Sequence, residues 1–168
     1  MTTDFAEIPS RPPSRWRRLA RVAFIHGARA VPLGLAVGAL MGWFAAQSDD
    51  SMRDTGESVK LTALIVGFIL VPSAVAAFRV ARSVRDDWAG GGVTLLLRRT
   101  AVSALAGAAW GIAGAALALT LGQLGALDLA AQPLAILGLG FGLAAGAALG
   151  LLVSAVRAFT GRTAESAP

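Results

Sequence analysis

Charged residues are missing from four long stretches of this chain, and those gaps organise everything else. The first runs from Ala30 to Gln47, AVPLGLAVGALMGWFAAQ. The second runs from Leu61 to Phe78, LTALIVGFILVPSAVAAF. The third extends from Thr100 to about Leu127, and the fourth from about Leu129 to Val156. Crossing ~30 Å of hydrocarbon takes a helix of about 20 apolar residues, commonly 17 to 25. The first two runs sit at the short end of that range, and the last two have length to spare for tilt. Four soluble core helices this apolar, in a chain this small, would leave nothing to face water. The pattern predicts an all-α, polytopic membrane protein with spans over about 30–47, 61–78, 101–124 and 133–156. It predicts a basic, partly amphipathic segment over 1–29 and a short polar tail over 157–168.

Orientation follows from the basic residues. With four spans, the N-terminus, the 79–99 loop and the C-terminus share one side. They carry six (Arg11, Arg15, Arg17, Arg18, Arg21, Arg29), five (Arg79, Arg82, Arg85, Arg98, Arg99) and two (Arg157, Arg162). The other side carries only Arg53 and Lys60, together with Asp49, Asp50, Asp54, Glu57 and Asp128. The positive-inside rule then places both termini in the cytoplasm of an inner, or plasma, membrane. The first apolar run is longer than a signal-peptide core, and FAAQS offers no A-x-A cleavage site, so the first helix is expected to be retained.

Glycine recurs at helical spacing inside these runs. In GLGFGLAAGAALG it occupies Gly138, Gly142, Gly146 and Gly150, with Gly140 between. The first run has Gly34, Gly38 and Gly42, and the third has Ser103, Gly107, Gly111 and Ala115. The second has Ala63 and Gly67, followed by Pro72, which should kink it. Hydrocarbon gives helices no hydrophobic reason to associate, so small residues that let backbones approach are favoured at interfaces. Such ridges either hold a single four-helix bundle together or turn at least one face toward another subunit.

Sliding the first run by 69 residues matches Arg29, Gly38, Ala39 and Gly42 to Arg98, Gly107, Ala108 and Gly111. Sliding the second by 73 matches Leu64, Gly67, Phe68 and Leu70 to Leu137, Gly140, Phe141 and Leu143. A duplicated two-helix hairpin explains both matches, and so does shared Gly/Ala/Leu composition.

Composition narrows the chemistry. The 168 residues are 55% hydrophobic and 15% charged, with a net charge of +5 and no cysteine. That leaves no disulfide, thiolate metal site or cysteine nucleophile. The arginines are assigned to topology and to lipid headgroups rather than to nucleic acid: Arg15, Arg17, Arg18, Arg21, Arg98 and Arg99 fall at the membrane border. Trp16, Trp43 and Trp88 fall where an interfacial aromatic belt would lie. The mixture RPPSRWRRLARVAF suits an amphipathic segment on anionic lipid. Leu95 to Leu97 suggest a second surface-lying segment, reached through a flexible Gly90-Gly91-Gly92 joint. His26, the single histidine, reads as an interfacial side chain without a ligand.

The spans hold no ionisable residue at depth, whereas proton and ion pathways usually display them. Polar side chains such as Thr62, Ser73, Ser103, Thr120, Gln123, Gln132 and Ser154 are expected to bond to helices rather than to a substrate. No catalytic constellation, cofactor, metal site or small-molecule substrate is expected. Arg82 and Asp86 stand at an R-x-x-x-D spacing that resembles part of the signature of the mitochondrial inner-membrane import translocase family. The glycines around them depart from that signature, and no function is carried over. The sequence points to a non-enzymatic scaffold or accessory subunit, its partners being membrane lipids and helices of its own kind or of another membrane protein. The alternative is a small homo-oligomeric pore or transporter.

Overall fold

The computed structural model describes residues 15–48, 55–84, 92–125 and 127–165. All regular structure in them is helical: α1 (Arg15–Ser48), α2 (Thr55–Leu64), a π-helical turn (Ile65–Leu70), α3 (Val71–Ser83), α4 (Val93–Leu124) and α5 (Ala131–Glu165). α2, the π turn and α3 are continuous and form one span. Among the described residues, four helices are therefore long and apolar enough to cross a membrane: Arg15–Gln47, Thr55–Ser83, Val93–Leu124 and Ala131–Thr160.

These helices outrun the uncharged stretches. α1 has 34 residues and α5 has 35, so each is about 50 Å long. α1 begins fifteen residues before Ala30, within the segment expected to lie on the membrane surface. The amphipathic pattern there serves a different purpose. Leu19 is buried with Val80, Val84 and Val102, and Ala23, Leu95 and Ala106 pack around them. Leu95 to Leu97 likewise belong to the first turns of α4 rather than to a surface segment. Gly92, just ahead of α4, has a φ of +71°, a backbone region that side chains with a Cβ rarely adopt. Gly90, Gly91 and Trp88 lie outside the described residues.

The second span is central. Ile69, Ala76, Ala77, Val80, Ala81 and Val84 are essentially inaccessible, and this span packs against α1, α4 and α5. The large exposed hydrophobics lie on the other three. On α1 they run from Trp16 to Phe44, about 42 Å along the helix, more than the ~30 Å of a hydrocarbon core. Trp16 and Trp43 are among these exposed side chains.

The second span stays continuous through Pro72, with a π turn just ahead of the proline. Proline has no N–H, and its ring collides with the carbonyl four residues earlier, here Phe68. Widening the helix over Ile65–Leu70 relieves that collision. The Val71 N–H accordingly bonds back five residues, to the Val66 carbonyl. Pro72 then sits in the first turn of α3, where no N–H is needed.

Candidate functional site

Two glycine-lined seams divide the bundle into hairpins. In the first, α1 runs antiparallel to α2 and the π turn. A methyl on Gly34 would lie 2.9 Å from the Gly67 Cα, one on Gly38 2.8 Å from the Ala63 Cα, and one on Gly42 2.8 Å from the Val59 Cα. Gly67 in turn faces Leu35. In the second hairpin the backbones of α4 and α5 meet glycine against glycine. Gly107 abuts the Gly142 carbonyl, Gly111 abuts the Gly138 carbonyl, and Gly146 abuts the Ser103 carbonyl. Gly150 lies against the Ser103 hydroxyl and the Thr100 backbone. Each step of four along one helix meets a step of four backward along its neighbour. The Ser103 hydroxyl reinforces this seam: its oxygen is 2.7 Å from the Gly146 carbonyl and 2.9 Å from the Arg99 carbonyl of its own helix. Its one proton is shared between an interhelical and an intrahelical acceptor.

Gly140 is different, with nothing within 4 Å of a Cβ built upon it. The slide of 73 residues therefore pairs a seam position, Gly67, with an outward one. The slide of 69 pairs seam positions with each other, Gly38 with Gly107 and Gly42 with Gly111.

Between the hairpins lies a contact that sequence reasoning missed. Trp110, buried on α4, donates its indole N–H to the Phe68 carbonyl oxygen across 3.2 Å. This is the carbonyl that Pro72 leaves without its usual α-helical donor. Gly114, one turn along α4, lets that carbonyl press against the helix, and Gly27 of α1 packs on the indole ring. The signal was present as a proline four residues after Phe68, but nothing in the sequence named the distant donor.

At the arginine-rich end the chain builds a clasp. Arg99 was expected among the headgroups, yet it is only 2% exposed. Its Nη1 donates to the Ser154 hydroxyl (3.2 Å), which donates onward to the Gly150 carbonyl (2.8 Å), and its Nη2 donates to the Val84 carbonyl (3.3 Å). Arg157 of α5 reaches the same carbonyl (3.4 Å) and that of Arg82 (2.8 Å). Helix α3 ends at Ser83, leaving C-terminal carbonyls without intrahelical donors. Two guanidinium groups from two other helices supply them, at the helix end where positive charge is favoured. Arg15, Arg17, Arg18, Arg21 and Arg98 are exposed.

No family model, curated protein or solved structure matches this chain. Its own geometry therefore carries the functional reading.

Two of the surface cavities lie at opposite levels of the bundle. At the end opposite the clasp, Glu57, Ser58 and Leu61 of α2 meet Leu127, Asp128 and Leu129 around a cavity of about 290 Å³. Between the first half of α1 and α4 runs a larger apolar groove of about 470 Å³. Trp16, Leu19, Ala20, Ala23 and Phe24 form one wall, and Val102, Leu105, Ala106, Ala109, Trp110 and Ala113 form the other.

Proposed function

We propose that this chain is a non-enzymatic, multi-pass protein of the plasma (inner) membrane that serves as a scaffold or accessory subunit, with both termini in the cytoplasm. The observation that carries the reading is how the small-residue ridges are used. Gly34, Gly38 and Gly42 of α1, Gly107 and Gly111 of α4, and Gly138, Gly142, Gly146 and Gly150 of α5 all meet a neighbouring helix of the same chain. Backbones that approach so closely favour a filled bundle over a lumen. Of the polar side chains buried in it, Ser103, Ser154 and the Arg99 guanidinium nitrogens Nη1 and Nη2 are bonded to carbonyls or to one another, whereas the Ser73 hydroxyl has no hydrogen-bond partner. What remains for other molecules is the apolar outside, including a stripe of Gly140, Ala144 and Ala148 that is exposed on α5. Small residues at every fourth place suit a further helix of the membrane.

The charge distribution supports the orientation. The Arg99–Arg157 clasp and the start of α1 lie at one end of the bundle, and Glu57 and Asp128 lie at the other. A duplicated hairpin fits the matching seam positions of α1 and α4. Two measurements together test the function. Purified protein in liposomes should pass neither ions nor small solutes, and affinity purification from native membranes should return a stoichiometric membrane partner or a homo-oligomer. Solute flux that scales with protein content would replace this reading with the pore.

A further inference from the structure

The groove between α1 and α4 is apolar along its length, and small side chains make room in it. Ala20 and Ala23 recede on one wall, and Ala106, Ala109 and Ala113 recede on the other. At one end Phe24 reaches across to Trp110, with ring centroids 5.7 Å apart. From Val102 to Ala113 the α4 wall rises about 17 Å, roughly half of a ~30 Å hydrocarbon core. That is the depth of one leaflet.

The other end of the groove is basic. Arg15 stands one helical turn before Leu19 and Arg98 one turn before Val102, so each shares the face of a groove-lining residue. Both arginines are exposed. We propose that this groove holds one acyl chain of an anionic phospholipid of the cytoplasmic leaflet, with the lipid phosphate against Arg15 and Arg98. The inference rests on the membrane orientation proposed above. Hydrocarbon already solvates an acyl chain, so the groove contributes shape and dispersion contacts. Selectivity comes from the arginines, each of which favours an anionic headgroup.

The test is lipid titration followed by native mass spectrometry of full-length protein, purified in detergent and stripped of lipid. Phosphatidylglycerol and phosphatidylcholine with identical chains are the two probes. The wild type should retain one phosphatidylglycerol in preference to phosphatidylcholine by roughly tenfold. Filling the groove with Ala106→Leu and Ala109→Leu should abolish retention of that lipid. Arg15→Gln with Arg98→Gln should keep a bound lipid but equalise the two headgroups. Equal retention of both lipids by the wild type overturns the proposal. So does a groove-filled protein that binds like the wild type, or a dimer that the filling dissolves, because a protein helix would then occupy the groove. If the filled variant fails to fold, the surface arginine variant decides. A chain that stays soluble without detergent defeats the membrane reading itself, whereas one that needs detergent but ignores headgroup charge defeats only this inference.

Discussion

The Trp110 indole nitrogen stands 3.2 Å from the Phe68 carbonyl oxygen, and Pro72, four residues after Phe68, is the reason that oxygen is available. A proline that disrupts one helix thereby creates an acceptor, and a second helix answers it. The pair ties the central span to α4 at the level of Gly114, where a Cβ would collide with the same carbonyl.

Trp110→Phe should preserve most of the ring packing while orphaning the Phe68 carbonyl, at a cost of about 1–2 kcal/mol. Pro72→Ala restores an N–H that can serve the same oxygen. In the Pro72→Ala background the cost of Trp110→Phe should therefore shrink. Unfolding in mixed micelles of rising denaturing-detergent fraction would measure all four proteins. Equal costs in both backgrounds would show that the two residues do not share this acceptor.

Leucine at Gly142 or Gly146 would drive a side chain into the backbone of α4 around Gly107, Ser103 and Ala104. Each should cost at least about 1–3 kcal/mol, the usual range for overpacking, and lower gel mobility or thermal stability. Gly140→Leu faces open space and should leave the monomer's stability within about 0.5 kcal/mol. Any effect of Gly140→Leu should appear in oligomer or partner recovery instead. A fully stable Gly142→Leu, Gly146→Leu double variant would contradict the seam.

Arg98 and Arg99 offer a matched comparison. Arg99→Ala removes one of the two donors to the Val84 carbonyl and the donor to the Ser154 hydroxyl oxygen; a loss of about 3 kcal/mol is expected for breaking a buried charged network. Arg98→Ala, on the exposed face, should change stability by no more than about 0.5 kcal/mol. Thermal shift in detergent at one pH separates the two. Indistinguishable variants would argue that Arg99 reaches the surface.

Topology has its own check. An alkaline phosphatase fusion after Thr55 should be active in a bacterial host, and one after Gly91 inactive. Because the chain has no cysteine, single cysteines at the same sites can be tested for labelling by an impermeant maleimide. The reverse pattern in both assays would invert the proposed orientation.

Much of this architecture was legible in the residue order. Span number and approximate position depend on local composition against the thickness of hydrocarbon, and both can be read from one segment at a time. A local irregularity at Pro72 was legible for the same reason, since it arises from a missing N–H within its own helix. The extra fifteen residues of α1 were not. Their amphipathic face fits a lipid surface and a bundle equally well, and only the arrival of Val80, Val84 and Val102 decides between them.

Residue order by itself therefore determined that the chain has four stretches apolar enough to cross a membrane and where its helices are small enough to touch. Tertiary structure alone decided which surfaces meet. Arg98 and Arg99 are identical neighbours with the same local surroundings, yet a helix turns about 100° between them. One faces outward, and the other is buried among Val84 and Ser154. That difference depends on carbonyls and hydroxyls fifteen and fifty-five residues away, and packing of the whole bundle is what brings them there.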